Sequence, residues 1–467
     1  MAAKELSPID VYALLPKTNC KLCGEENCMA FATKIVNRVV DLELCPPLSE
    51  KQYASNRLKL QELLRPPVRE ITVGTGERAV RIGGKLVMYR HQFAYFNPTA
   101  IAVDISDEAS NDEIEQRIAA VESLSYDYIG QRLRLDMIAL RCTSNDAKNF
   151  GAIAKKISER TQLPLVLCSL NPGILEAALV AMGKERPLVY AATPGNWREM
   201  AELALIYGCP IVVSAPGDLA MLSSLSATLL AYGLEDIVLD PGTFPGEGIG
   251  QTLNNLTMLR RAACEDGNRV VGFPLMATPM SVWSQGIESP EVAKWEEAHL
   301  TSMLITRYAD LVVVHSVDGW GVLPNLVLRQ NLYTDPRKPV AVDPALKSFG
   351  NPDQTSPLLC TTNFALTYYT VASDVEAAGI SCYMLVIDTE GISVESAVAG
   401  RKLTADKVAE SVRAFKVSEK VNHRTLIIPG RAARLSGEIE EATGWKVLVG
   451  PMDSSGIPKF LQEKWKS

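Results

Sequence analysis

The stretch PLVYAATPGNWREMAELALIYGCPIVVSA, Pro187 to Ala215, decides the fold. It holds an apolar run from Pro187 to Thr193, a helical pattern from Asn196 to Tyr207 and a second apolar run from Pro210 to Ala215. Strands that read as nearly unbroken apolar runs are buried on both faces, which implies a parallel sheet with helical crossovers. The pattern continues in both directions. Further runs lie at Ala100 to Ile105, Met137 to Cys142, Pro164 to Ser169, Asp236 to Asp240, Val270 to Met276 and Asp310 to Ser316, with helical stretches such as Asp112 to Ser123, Asn145 to Glu159 and Glu291 to Arg307 between them. Eight such strands match the count of a (β/α)8 TIM-like barrel, with a doubly wound open sheet as the alternative.

Outward from the barrel the patterning changes. From about Pro339 it restarts with a short strand at Val340 to Asp343, a helix at Thr362 to Ala378 capped by Thr362 or Asn363, strands at Cys382 to Asp388, Arg424 to Pro429 and Lys446 to Gly450, and helices at Thr404 to Phe415 and Leu435 to Ala442. This predicts a small Rossmann-like α/β domain. On the other side, alternating stretches at Glu70 to Val73, Ala79 to Ile82 and Lys85 to Tyr89, separated by Gly74-Thr75-Gly76 and Gly83-Gly84, predict β-hairpins. No helix follows Gly74-x-Gly76, so it is not a phosphate loop. A polar helix from about Glu50 to Leu64 precedes them. The expected division is 1–60, 61–335 and 336–467, all within an α/β class.

Four cysteines near the start carry the clearest chemistry. Cys20, Cys23, Cys28 and Cys45 read C-x2-C-x4-C-x16-C, and Pro46 follows the last. Thiolates are the ligands of iron–sulfur clusters, and Cys-Pro ends the bacterial ferredoxin run. Zinc is the rival, since it also takes four cysteines opened by a C-x2-C knuckle. The x4 gap and one distant Cys favour a [4Fe-4S] cluster. The remaining cysteines (Cys142, Cys168, Cys209, Cys264, Cys360, Cys382) are scattered, several in strand-like runs, and read as free thiols of a reducing cytoplasm.

Composition excludes several classes. A net charge of −7 gives no reason to expect nucleic acid, which calls for a basic stripe. No apolar run is long enough to cross a bilayer, and Met1 to Asp10 lacks the basic-then-apolar pattern of an export signal. With His91, His299, His315 and His423 as the only histidines, a His-rich metal site is not expected.

In α/β sheets ligands bind outside the carboxyl ends of strands. The last domain places Asp388 to Val394, Pro429 to Ala432 and Gly450 to Pro458 there, where small residues leave space and hydroxyls and amides supply hydrogen bonds. Ordinary turn chemistry explains each loop alone equally well. The barrel offers Asp104, Asn171, Asp240 and His315 near strand ends, without a readable acid–base spacing, and Gly246-x-Gly248-x-Gly250 reads as a loop before a helix.

The chain resembles the large subunit of the corrinoid iron–sulfur protein, which in methanogens is the gamma subunit of the acetyl-CoA decarbonylase/synthase complex. The resemblance runs from Leu15-Pro16-Lys17-Thr18-Asn19-Cys20 through Cys45-Pro46-Pro47, and includes Thr361 to Tyr368, Val386 to Gly391, Ile428-Pro429-Gly430, Leu435 to Glu438 and Val449 to Pro458. It implies a [4Fe-4S] cluster on Cys20, Cys23, Cys28 and Cys45, and a cobalt corrinoid (a cobamide) held base-off by the last domain. The implied corrinoid contacts are Thr361, Thr362, Thr367, Gly391, Ile392, Ser393 and Val394, with Gly430, Ser455 and Gly456 lining the tail. Arg431 stands where the family leads one to expect an aromatic residue. No D-x-H-x-x-G lower-ligand motif is present, in keeping with a family whose cobalt has no protein histidine.

The implied activity is that of a methyltransferase carrier. Co(I) would accept a methyl group from a methyltetrahydropterin and exchange it with the nickel site of acetyl-CoA synthase, while the cluster returns Co(II) to use, with Ser49 to Arg65 as the hinge. Implied partners are a small, delta-type corrinoid protein subunit and the acetyl-CoA synthase and carbon monoxide dehydrogenase subunits. The alternatives are an iron–sulfur electron-transfer subunit without corrinoid and a pterin-binding methyltransferase anchored by Asp104, Asn171 and Asp240 in the barrel.

Overall fold

The eight apolar runs become eight parallel strands arranged in a ring. The computed structural model describes residues 6–37, 39–89, 96–337 and 339–465; His91 lies outside them. The strands are β1 (Ala100–Ser106), β2 (Met137–Arg141), β3 (Leu165–Cys168), β4 (Leu188–Ala192), β5 (Ile211–Ser214), β6 (Ile237–Asp240), β7 (Met276–Ala277) and β8 (Leu311–Val314). Their order is β6-β5-β4-β3-β2-β1-β8-β7. A parallel bridge between Leu239 and Leu275, with Leu239 N–H donating to the Pro274 carbonyl at 2.8 Å, nearly closes the ring. The alternation of strand and helix therefore resolves to a near-closed barrel, not an open sheet. All four residues of β5, β6 and β8 are buried, as strands covered on both faces must be. Each buried Val, Leu or Ile contributes about 1.5–3 kcal/mol.

Two expectations in this region need correction. The run Val270 to Met276 supplies only Met276–Ala277 as strand. Pro274 has no N–H for the ladder, and Phe273 N–H turns back onto the Val271 carbonyl, so the chain there is irregular. The hairpin Glu70–Val73 with Val80–Gly83 forms, but Lys85 to Tyr89 is not a third strand. Gly83 and Gly84 both adopt positive φ (77° and 68°), turning the chain away from its neighbour, and Lys85 instead spends its carbonyl on Val68 N–H.

The cysteine-bearing segment packs around its own small core of Val11, Leu15, Phe31, Ile35, Leu48 and Leu60. Its first helix, Pro8–Leu14, opens with a Ser7/Asp10 capping box. The helix Ala54–Leu64 places Leu60 in that core and donates Asn56 Nδ2 to the Leu14 carbonyl at 3.1 Å. Within the Ser49 to Arg65 stretch Leu60 is buried in this core, with Tyr53 and Leu64 packed against it, and most other residues are exposed.

The C-terminal sheet holds β9 (Ala345–Phe349), β10 (Leu358–Thr362), β11 (Cys382–Ile387), β12 (Thr425–Ile428) and β13 (Lys446–Val449) in the order β9-β11-β10-β12-β13. Only β9 is antiparallel. Val340 to Asp343 was expected as a strand, yet it contributes an isolated bridge, Ala341 to Phe364; the edge strand follows it. Successive residues alternate between two cores, Leu358 and Cys360 on one face and Leu359 on the other. By contacts the chain divides into two compact units, Met1–Ser125 with Arg134–Thr334, and Tyr126–Leu133 with Asp335–Ser467. The hairpin Ser125–Tyr128/Gln131–Arg134, which the sequence reading missed, thus has most of its residues in the second unit.

Candidate cofactor sites

Four residues between Lys17 and Gly24 bend the cysteine loop into the left-handed region: Lys17 (φ 60°), Asn19 (48°), Lys21 (60°) and Gly24 (84°). For the three with side chains this conformation is costly and persists where surrounding structure dictates it. Asn19 supplies part of that structure, its Oδ1 accepting Cys28 N–H at 2.9 Å, while Asn27 caps the helix Cys28–Val36. Neither asparagine was singled out from sequence.

The four thiols have different environments. Cys20 is exposed, Cys23 half-buried, Cys28 and Cys45 buried. The Leu22 backbone N–H, then the Thr18 hydroxyl, hold the Cys20 thiol below its ordinary value. Burial pushes Cys45 up, opposed by the Leu48 amide, and the charges of Cys23, Cys28 and Cys20 raise it further. Cys20, Cys23 and Cys28 thus lie within electrostatic reach of Cys45. Among the described residues no three His, Cys, Asp or Glu side chains are gathered to hold a single metal ion. The donor set, four thiols from one strained loop and its flank, fits an iron–sulfur cluster.

The second site lies in the C-terminal sheet. The chain leaves β10 toward β11 on one side and returns to β12 on the other, so the strand order reverses between β10 and β12. Such a switch point opens a crevice at the carboxyl ends of the strands. Here it is a cavity of about 370 Å³, lined by Thr361, Thr367, Ser393, Val394, Arg431 and Met452 among others. Leu366 and Met452 stand exposed at it, 52% and 64% accessible, giving an apolar rim to an open slot. Thr361 is buried, and its Oγ1 has no hydrogen-bond partner. An orphaned buried hydroxyl beside empty space is a costly arrangement unless a ligand supplies the partner.

The loops around the crevice are tied together. Gly430 N–H donates to the Pro451 carbonyl at 3.0 Å, and a Cβ at Gly430 would sit 2.8 Å from the Pro451 backbone, so only glycine permits this approach. The Ser454 hydroxyl donates to Asp374 on the helix Ala365–Ala377. Arg431 reaches Glu395 at 2.7 Å across the opening.

Of the ten sequence-derived corrinoid contacts, Thr361, Thr367, Ser393 and Val394 line the crevice. Thr362, also buried with an unpartnered hydroxyl, shares the face of Leu358 and Cys360 and lies outside the lining. Gly391 turns a loop at φ 71° against Pro339, and Ile392 packs on the core. Ser455 gives its hydroxyl to Asp453 at 2.7 Å, and Gly430 and Gly456 serve backbone packing against Pro451. Neither Thr362 nor Asn363 caps the following helix, whose N-cap is Phe364. Asn363 Oδ1 instead accepts Thr389 N–H, Thr389 Oγ1–H and Gly391 N–H at 2.8, 3.0 and 3.0 Å, holding the loop after β11.

His423 stands at the amino end of β12, away from the crevice. Its Nε2 lies 2.9 Å from the Ser356 carbonyl and its Nδ1 accepts Thr425 N–H at 3.2 Å, so both ring nitrogens are engaged.

The barrel's strand ends are committed to internal bonds. Asp104 is fully buried and accepts from Arg141 Nε at 2.6 Å and Arg117 Nη2 at 3.0 Å, with His315 Nδ1 at 2.6 Å. Burial alone would raise its carboxyl, but the His315 hydrogen bond and the two arginines outweigh it and hold it below the ordinary range. Asp240 accepts from Tyr190, Ser214 and Gly242, and burial nonetheless raises it. Asn171 caps the helix Pro172–Met182. Gly246–Gly248 is a tight turn leading straight into the helix Ile249–Cys264. Of the scattered thiols, Cys209, Cys360 and Cys382 are buried, the last two pushed up to about 12 by desolvation. No helix among the described residues is long and apolar enough to cross a membrane.

The family model for the CO dehydrogenase/acetyl-CoA synthase delta subunit matches residues 70–461, and one described as "Putative Fe-S cluster" matches 15–47, the span of the four cysteines. Acetyl-CoA decarbonylase/synthase complex subunit gamma 2 of Methanosarcina thermophila is 45% identical over 463 residues, 98% of each chain. The gamma subunit of Methanothermobacter thermautotrophicus is 45% identical over 98% of this chain and 99% of its own, and that of Archaeoglobus fulgidus 44% over 99% of both. Among solved structures, dihydropteroate synthase from Thermus thermophilus is similar at 19% identity and a TM-score of 0.39, covering 56% of this chain and all of that one. By length, identity and domain order, this chain belongs to the family of acetyl-CoA decarbonylase/synthase complex gamma subunits.

Proposed function

We propose that this chain is the methyl-carrying, corrinoid- and cluster-bearing subunit of its complex, a methyltransferase working beside a delta-type subunit and the acetyl-CoA synthase and carbon monoxide dehydrogenase subunits in the cytoplasm. The observation that carries the reading is the buried, unpartnered hydroxyl of Thr361 on an open crevice at a strand-order reversal. Thr361, Thr367, Ser393 and Val394 would hold the corrinoid, and Cys20, Cys23, Cys28 and Cys45 a [4Fe-4S] cluster. When bound, the corrinoid supplies a nucleophilic cobalt that exchanges a methyl group between a methyltetrahydropterin and a nickel site, and the cluster supplies low-potential electrons.

The chain's own part is positioning and exclusion. The helix Ala365–Ala377 presents Thr367 and the apolar Leu366 to a broad, flat ligand, while Asn363 fixes the loop from which Ser393 and Val394 enter. His423 is engaged at the opposite strand end and is not among the residues that would hold the corrinoid. On the cluster side, the Leu22 amide and Thr18 hydroxyl lower the Cys20 thiol, which favours its use as a ligand.

Iron and cobalt analysis with an absorption spectrum, on anaerobic protein prepared with its companion subunit, tests the reading. Both metals and corrinoid bands are expected; iron without cobalt would favour the electron-transfer alternative. Replacing Cys20 or Cys23 with Ala should leave corrinoid bound and abolish its reductive rescue. Normal recovery from a low-potential donor in either variant would refute the role given to the cluster.

A further inference from the structure

One histidine at the mouth of the barrel is held the way a proton-transfer group is held. His315 follows β8 directly, and β8 pairs with β1 so that Val314 stands opposite Val103, which brings the imidazole to Asp104. Its Nδ1 lies 2.6 Å from Asp104 Oδ1, closer than Arg117 Nη2 at 3.2 Å, so Nδ1 carries its proton toward the carboxylate. That carboxylate cannot turn away. Arg141 Nε donates to its other oxygen at 2.6 Å, and Arg117 Nη2 donates to Oδ1 at 3.0 Å. The backbone is pinned as well, since the N–H groups of His315 and Ser316 donate to the two oxygens of buried Glu297 at 2.6 and 2.8 Å. Trp283 packs against the ring in a T-shaped contact with centroids 4.7 Å apart. Nε2 is left without a hydrogen-bond partner among the described residues, on a side chain 37% exposed.

Barrel enzymes keep their catalytic groups at this end of the strands. An imidazole whose Nδ1–H is taken by a buried carboxylate presents Nε2 alone for proton exchange. The other described histidines lack this setting. His423 has both ring nitrogens engaged, and His299 stands exposed on the helix Pro290–Thr306, its ring against Trp295. Tyr190 and Asp240 are hydrogen-bonded to each other, and Asp240 is buried. A methyl carrier of the kind proposed above needs an acid, because the methyl of a methyltetrahydropterin sits on an amine nitrogen, which leaves poorly unless it is protonated. Resting on that proposal, we infer that the barrel mouth takes the methylated pterin and that His315 Nε2–H protonates its amine nitrogen. The C–N bond breaks with its electron pair staying on nitrogen, and the nitrogen takes the proton from Nε2. The methyl passes as a cation to the cobalt nucleophile, which supplies the electron pair of the new bond. Solvent then returns a proton to Nε2.

Two kinds of methyl donor isolate this step, because methyl iodide releases its leaving group without a proton and the pterin does not. Holo protein with its companion subunit, reduced to Co(I), is mixed with each donor and the decay of the Co(I) absorption band is followed. His315→Gln should slow transfer from 5-methyltetrahydrosarcinapterin or 5-methyltetrahydrofolate about 100-fold or more, and leave the reaction with methyl iodide within about twofold. Calorimetric binding of the same pterin should stay within about threefold of wild type. Added imidazole should restore part of the pterin rate in His315→Ala. A His315→Gln protein that demethylates the pterin at the wild-type rate overturns the inference, as does an equal loss with both kinds of donor. Wild type that accepts methyl from methyl iodide and from neither pterin overturns it too. Wild type with no Co(I) band brings down the corrinoid reading itself, and the inference with it.

Discussion

The carboxyl ends of the barrel strands and those of the C-terminal sheet occupy equivalent places in two α/β architectures, yet the polar groups singled out at each differ in whether they are bonded. In the barrel, Asp104 meets two arginines and a histidine, Asp107 accepts from Thr143 and Ser144, and Asp240 from Tyr190, Ser214 and Gly242. In the C-terminal sheet Thr361 offers a buried hydroxyl to nothing, beside open space. Topology names the place where a ligand can bind. An unsatisfied polar atom next to a cavity is what sets the second place apart from the first.

The largest effect that sharpens this contrast is expected at Asp104. Asp104→Ala strips a buried carboxylate from Arg117 and Arg141 and should cost about 3–5 kcal/mol of unfolding free energy, with corrinoid content per folded chain unchanged. A denaturation midpoint close to wild type would break the comparison. The same residue has a pH signature. Its folded pKa lies below the unfolded value, so its stabilisation is complete above the ordinary carboxylate range and is lost as pH falls through the folded pKa. Asp104→Asn should remove that component from the acid side of the stability profile.

The next effect concerns Thr361. Thr361→Val removes a hydroxyl that has no protein partner, so the cofactor-free chain should be as stable as wild type or slightly more so. Corrinoid retention should fall by about 1–3 kcal/mol, roughly 5- to 150-fold in affinity. Thr362→Val, whose side chain lies outside the crevice lining, should leave retention within about twofold. Equal losses in both variants would show that the crevice has been drawn wrongly. The smallest effect belongs to Arg431 and Glu395, whose bridge is exposed. Arg431→Ala should change stability by about 0–1 kcal/mol, measured by thermal denaturation, while leaving the opening unbarred.

Much of the fold was legible because buried parallel strands are written as apolar runs, and seven of the eight proposed runs hold strands of four residues or more. The eighth was obscured by Pro274, which breaks the ladder, and β9 by its polar Lys347 and Ser348 on a half-covered edge. The spacing of the cysteines marked the segment that the iron–sulfur family model matches, residues 15–47, because the pattern is local in sequence. Of the crevice, the strand-end loops were legible and the walls were not. Its apolar walls, Leu359, Ile427 and Met452, are adjacent only after β10, β12 and β13 align. Asn363 looked like a helix cap, because a side-chain amide that braces a distant loop leaves no local signature.

The left-handed residues at Lys17, Asn19 and Lys21 have a last consequence. With Asn19 tying the loop to the start of the helix at Cys28, the path of the loop is set at these few positions, and a β-branched residue at any of them would oppose it.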